Sequence, residues 1–190
     1  MARIDLDVNV LGDEELIKKL ADLDHKGIPR AVRSALNVAN RKARTQISKN
    51  IRANYTLKAG RIKQDISPTR FTDGGMKAHI YTSRKPISLR RYTGRMTSKG
   101  YYASVTKGAR KLVGKNGNKA FVIPSSAPDV PFVRKGRKRK PIEVLFGPSI
   151  HSIYTSGAFG ASIQSTTEKE TEKAFIAELK RRIGSLARGF

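Results

Sequence analysis

Apolar and polar positions alternate at the start of the chain: Ile4, Leu6, Val8 and Val10 interleave with Arg3, Asp5, Asp7 and Asn9. A period of two predicts a half-buried strand over residues 4–10 with one polar face. Gly12 ends it, Asp13 offers an N-cap, and Glu14 and Glu15 suit the positive end of a helix whose apolar face is Leu16, Ile17, Leu20 and Leu23. After Gly27 and Pro29 the period becomes helical. Ile28, Val32, Leu36, Ala39, Ala43, Ile47 and Ile51 recur every three or four residues, widened by Ala31 and Ala35. That stripe predicts a helix of roughly six turns. The opposite face carries Arg30, Arg33, Arg41, Lys42, Arg44, Lys49 and Arg52, with no acid between Arg30 and Lys63. Surface helices usually mix signs to gain opposite-charge pairs. A structural helix with a basic second surface is expected, a merely solvated face being the plainer alternative.

Further on, the signals shorten. Thr56 is placed to cap a short helix through Ile62, and Pro68 stops anything longer. Phe71, the Asp73-Gly74-Gly75 turn, Met76, Ala78 and Ile80 predict a hairpin. Residues 84–100 contain Pro86, Gly94 and Gly100 among many cations and predict a long basic loop. Tyr101, Ala103 and Val105 alternate as a strand, with Tyr102 on the other face. Residues 107–113 and 119–123 predict two short strands around Gly114-Lys115-Asn116-Gly117.

In residues 130–150, two apolar runs, 130–133 and 142–146, flank Arg134, Lys135, Arg137, Lys138, Arg139 and Lys140. This predicts a hairpin with apolar arms and a cationic tip, Gly136 easing the reversal. Pro141 and Gly147-Pro148 frame it, Gly147 in a backbone conformation costly to a β-carbon, and Ser149 is placed to cap a short helix. Gly157 and Gly160 predict a flexible joint. Thr167 and Glu170 form a capping-box pattern opening a last helix with Phe175, Leu179, Ile183 and Leu186 on one face.

Charge changes the picture. The 190-residue chain has 39 Lys and Arg against 15 Asp and Glu, a formal net charge of +24. That far exceeds what solubility needs and points to nucleic acid or another extended anion. Six cations at one tip repel one another unless a polyanion offsets them; a solvated loop or a localisation-type basic run is the competing reading. With Arg84, Arg90, Arg91 and Arg95, the tip is the expected DNA- or partner-facing surface. No Cys is present, which removes disulfides and thiolate metal sites. The first residues do not resemble a signal peptide, and no apolar run nears the roughly 20 residues that span a bilayer, so no membrane contact and a soluble chain in the cytoplasm are expected.

The remaining residues carry no catalytic spacing. His25, His79 and His151 lack ligand spacing. There is no phosphate-binding or dinucleotide glycine loop. Asp5 and Asp7 have no further acid nearby to complete a metal-dependent nuclease site. The expectation is no enzyme, no metal and no cofactor.

Pro141-Ile142-Glu143-Val144-Leu145-Phe146-Gly147-Pro148-Ser149-Ile150 after a basic turn resembles the signature of the phage minor tail protein Z family. Ile28-Pro29-Arg30-Ala31 through Ala35-Leu36-Asn37 resembles its first long helix, and residues 101–108 and 120–122 its central strands. The chain departs from the family in residues 84–100 and in its very basic tip. The resemblance implies an α+β fold: an antiparallel sheet packed by a long helix in the N-terminal half and by a C-terminal helix. It implies one tail-completion domain over 1–165, with 166–190 a helix packing on that domain or on a neighbour. It further implies a virion protein of the tail and neck, made in the host cytoplasm and joining late in assembly, with a part in genome ejection. Implied partners are other copies of itself in a ring, a hexamer by analogy with the sixfold tail, together with tail terminator and connector or neck proteins, the tape-measure protein, and genomic DNA in the lumen. A free, sequence-independent nucleic-acid-binding protein is the alternative.

Overall fold

The computed structural model describes residues 2–6, 27–68, 78–125 and 127–186. The predicted helix after Asp13 lies outside them, as do residues 7–10 of the predicted first strand. The fold is α+β, with long helices and antiparallel sheets. The chain divides into two compact units. Unit 1 holds Met1–Ile47, Ile66–Thr82 and Ser156–Phe190; unit 2 holds Ser48–Asp65 and Ser83–Thr155.

In unit 1, β1 (Ala2–Leu6) and β2 (Ile66–Pro68) pair antiparallel on either side of β3 (Ala78–Thr82). Ile4 and Pro68 both oppose Ile80, which is fully buried. Of the predicted hairpin, Ala78 and Ile80 lie on β3, whereas Phe71, the Asp73-Gly74-Gly75 turn and Met76 lie outside the described residues. Helix α1 (Gly27–Asn54) follows the predicted stripe. Ala31, Ala35, Leu36 and Ala39 pack against Phe175, Leu179 and Ile183 of the last helix. Alanine at every fourth position leaves a shallow groove, which the larger side chains opposite fill. Ser34 donates to Glu178 Oε1 at 3.4 Å, and Lys42 lies 4.0 Å from Glu170.

That last helix is longer than expected. It runs unbroken from Gly157 to Leu186. Gly160 lies inside it and is buried, so the expected flexible joint reduces to Ser156 and Gly157, the latter at φ +43°. Thr167 is fully buried in mid-helix and caps nothing. The capping-box expectation fails because Thr167 and Thr171 belong to the buried stripe with Ile163 and Phe175.

Unit 2 begins in the last two turns of α1. A short helix, α2 (Ala59–Gln64), follows. Its N-cap is Lys58, which gives no side-chain cap, so the expected Thr56 cap is corrected. Thr56 is committed elsewhere: its hydroxyl donates to the Ser104 carbonyl and accepts the Thr93 N–H at 3.2 Å. The Lys107 N–H reaches the Asn54 carbonyl at 2.7 Å. The end of α1 is thereby tied to the sheet made of β5 (Thr93–Thr97), β6 (Gly100–Ser104) and β7 (Lys111–Leu112), where β4 (Ile87–Ser88) and a 3-10 turn (Leu89–Arg91) precede β5. The basic loop expected at 84–100 is therefore largely ordered. On β6, Tyr101 and Ala103 are buried while Tyr102 is half-buried, as the alternation predicts.

Next comes a two-residue hairpin of β8 (Gly114–Lys115) and β9 (Asn118–Lys119). Asn116 at φ 52° and Gly117 at φ +74° supply the two left-handed positions that such a turn needs. A third sheet orders β10 (Phe121–Ile123), β11 (Ala127–Arg134) and β12 (Ile142–Val144). Strand β11 is central yet contains Pro128 and Pro131. Both fall between the pairs Ile123↔Ala127 and Phe121↔Phe132, where the register shifts, so their missing donors cost no ladder bond. Then β13 (Phe146–Gly147) pairs with β4, and α3 (Ile150–Thr155) opens with Ser149 Oγ accepting the Ser152 N–H at 3.0 Å, the predicted cap.

Candidate nucleic-acid interface

The charge is divided unevenly between the units. Unit 2 contains 22 Lys and Arg against 3 Asp and Glu, net +19; unit 1 contains 17 against 12, net +5. Two of the three acids in unit 2 are paired: Asp65 lies 2.8 Å from Arg61, and Glu143 lies 2.6 Å from Lys115. The hydrogen bond from Lys115, with burial opposing it, holds the Glu143 carboxyl below its ordinary value.

The predicted hairpin is β11–β12. Phe132 opposes Val144, Val133 opposes Glu143 and Arg134 opposes Ile142. Val133 is fully buried, and Leu145 donates its N–H to the Pro131 carbonyl at 3.0 Å, so the arms are fixed. The Lys135 N–H reaches the Pro141 carbonyl at 3.1 Å and closes the ladder. Beyond it, Arg137, Lys138, Arg139 and Lys140 are exposed, as are Arg134 and Lys135 at the base. The Lys140–Pro141 bond is cis. Gly136 is not in a left-handed conformation, and a β-carbon there would meet nothing within 4 Å. The expectation that the reversal needs this glycine is corrected.

Neighbouring elements brace the base of the tip. Asn118 Nδ2 donates to the carbonyls of Arg134 at 3.1 Å and Gly136 at 3.3 Å. The Arg134 guanidinium sits 5.5 Å from the Phe121 ring centroid, and Phe121 lies 6.4 Å from Phe132. These contacts hold the base while leaving the tip cations to solvent.

The other expected basic residues are exposed but dispersed. Arg84 precedes β4, Arg90 and Arg91 lie in the 3-10 turn beside buried Leu89, and Arg95 is on β5. Sequence reasoning missed exposed Lys107, Arg110, Lys111, Lys115 and Lys119, carried by β7 to β9 and the turn before them. The signal was the scarcity of acids: Asp129 is the single one between Lys77 and Lys140.

Of the signature residues, Pro141 is exposed and Ile142 half-buried. Gly147 is required, for a reason other than the expected one. Its φ is not left-handed; instead a β-carbon would stand 2.8 Å from Tyr92 Cε2 and 3.3 Å from Leu89. The Tyr92 hydroxyl donates to the Pro148 carbonyl at 2.9 Å. Burial, and next the charge of Tyr55, push that phenol above its ordinary range. Tyr92 thus locks Gly147-Pro148 against Leu89. Among the described residues no group of His, Asp and Glu could hold a metal ion, and no helix is long and apolar enough to cross a membrane.

Residues 10–188 fit the family model described as prophage minor tail protein Z (GPZ). No curated protein and no solved structure matches the chain.

Proposed function

The chain belongs to the prophage minor tail protein Z family and is a structural component of a phage tail; on that footing we propose that it is a tail-completion protein of the neck. In this reading it forms a ring at the head-proximal end of the tail, a hexamer by analogy with the sixfold tail. Its neighbours are the tail terminator and connector or neck proteins, with the tape-measure protein a further candidate, and it serves head–tail joining and genome ejection without catalysing a reaction. Unit 2 faces the path of the DNA.

The observation that carries this reading is the charge distribution. Net +19 is concentrated in unit 2, and a braced hairpin presents six cations, four of them beyond the closed ladder. Nothing in that tip is arranged to read base edges, so contact is with phosphates and independent of sequence. Copies in a ring would multiply a weak single contact.

The test changes Arg137, Lys138 and Arg139 to Ser in the phage. Tip residues that face DNA leave neck assembly intact while disturbing how the genome end is held or released. If the neck instead fails to join and DNA retention in preassembled particles is untouched, the tip is a protein interface and the reading is wrong.

A further inference from the structure

A second basic feature of unit 2 is separate from the tip. Strands β5 and β6 form a hairpin whose turn is Ser98-Lys99, closed by Thr97 opposite Gly100. Arg95 opposes Tyr102 across the two strands, so both side chains leave the same face. The chain after β6 turns at Gly108, φ +78°, before entering β7. That turn brings Arg110 over the same face, its guanidinium 5.2 Å from the Tyr102 ring centroid. Together Arg95, Thr97, Ser98, Lys99, Tyr102 and Arg110 line an open cavity of about 290 Å³.

The lining has three cations, two hydroxyls and one phenol, and no carboxylate. Three like charges bordering one cavity repel one another, and no lining acid relieves them. Of the three acids of unit 2, Asp65 and Glu143 are engaged by Arg61 and Lys115. The third, Asp129, is exposed on β11 and is not among the residues that line the cavity. The stack on Tyr102 steadies Arg110 with its donors free to point into the cavity. Arginines presenting planar forks, a lysine and hydroxyl donors are the groups that recognise a phosphate.

We propose that this cavity is a phosphate-binding notch. Arg95 and Arg110 grip the phosphate oxygens from two sides, Lys99 adds charge at the rim, and Ser98 supplies a hydroxyl. The inference rests on the reading that unit 2 faces a polyanion and adds a defined seat away from the tip. The shared chemistry is a phosphate group; it can come from the DNA backbone or from a free phosphate.

The test uses the full chain. Inorganic phosphate is titrated while the arginine Nε–Hε signals and the Ser98 and Lys99 amides are followed by NMR, and a short duplex DNA is then added. Saturable shifts at Arg95 and Arg110 are expected, lost in an Arg95→Gln/Arg110→Gln chain with at least a tenfold fall in phosphate affinity. Tyr102→Leu, which removes the stack alone, should weaken binding without abolishing it. Displacement of phosphate by the duplex assigns the notch to DNA, and the double variant then lowers the slope of log affinity against log salt by roughly 1 to 2. Saturable binding without displacement assigns it to a free phosphate. A chain that binds phosphate but no DNA keeps the notch and removes the DNA-facing reading. Shifts that never saturate, or that persist in the double variant, overturn the proposal.

Discussion

Gly147 shows how one residue can be indispensable for want of space rather than for its conformation. Tyr92 cannot move aside to admit a β-carbon at 2.8 Å, because its hydroxyl is bonded to the Pro148 carbonyl and its ring is buried. Gly147→Val should lower stability by roughly 1–3 kcal/mol, the usual range for overpacking, measured by chemical denaturation. Gly136→Ala, where a β-carbon meets nothing, should leave the denaturation midpoint unchanged. At Glu178 the governing effect is electrostatic. Arg181 bonds it at 2.6 and 2.8 Å and Arg182 at 3.0 Å, which draws its carboxyl down from 4.5 to about 2. A lowered folded-state value means stabilisation that is complete above pH 4.5 and is lost as pH falls towards about 2. Because both arginines are largely exposed, screening limits it to about 1 kcal/mol. Glu178→Gln should therefore destabilise at pH 7, and the gap to the parent should close across that acid window. An equal gap at pH 7 and pH 2 would assign the effect to packing.

Among the elements, α1 was legible because its buried positions are apolar except Asn40 and Ser48, and the central hairpin because its arms and tip differ so sharply in polarity. Only the second half of the last helix, Gly157–Leu186, was legible. Its buried stripe is Gly160, Ile163, Thr167, Thr171, Phe175, Leu179 and Ile183, and the two threonines and the glycine hide the helical period over its first four turns. Thr171 donates to the Thr167 carbonyl at 2.6 Å, whereas the Thr167 hydroxyl is buried with no hydrogen-bond partner among the described residues. Thr167→Val, which removes that hydroxyl at similar volume, should raise stability by about 1 kcal/mol; a fall in melting temperature would show that the hydroxyl is satisfied. Strand β5 was hidden for another reason. Thr93-Gly94-Arg95-Met96-Thr97 is almost wholly exposed and has no apolar alternation, so what orders it is its hairpin ladder to the adjoining β6 and the contact with Thr56, 37 residues earlier. The bracing of the tip by Asn118 was equally invisible, since it joins residues 16 and 18 positions apart. Asn118→Ala should speed amide hydrogen exchange at Lys135 while leaving α1 unaffected.

For the whole molecule, the uneven charge is the main fact. A chain of +24 could spread its cations evenly, and composition alone gave no sign that unit 2 would hold +19 of them. Family membership explains why such a chain is a part of a phage tail; it does not explain the concentration of charge. A DNA path beside unit 2 would. The most direct test is cryo-electron microscopy of the intact virion neck, locating residues 136–140 relative to the lumen. The account predicts tips projecting into the lumen against the density of the DNA. Tips buried between protein rings against acidic side chains, away from the lumen, would contradict it.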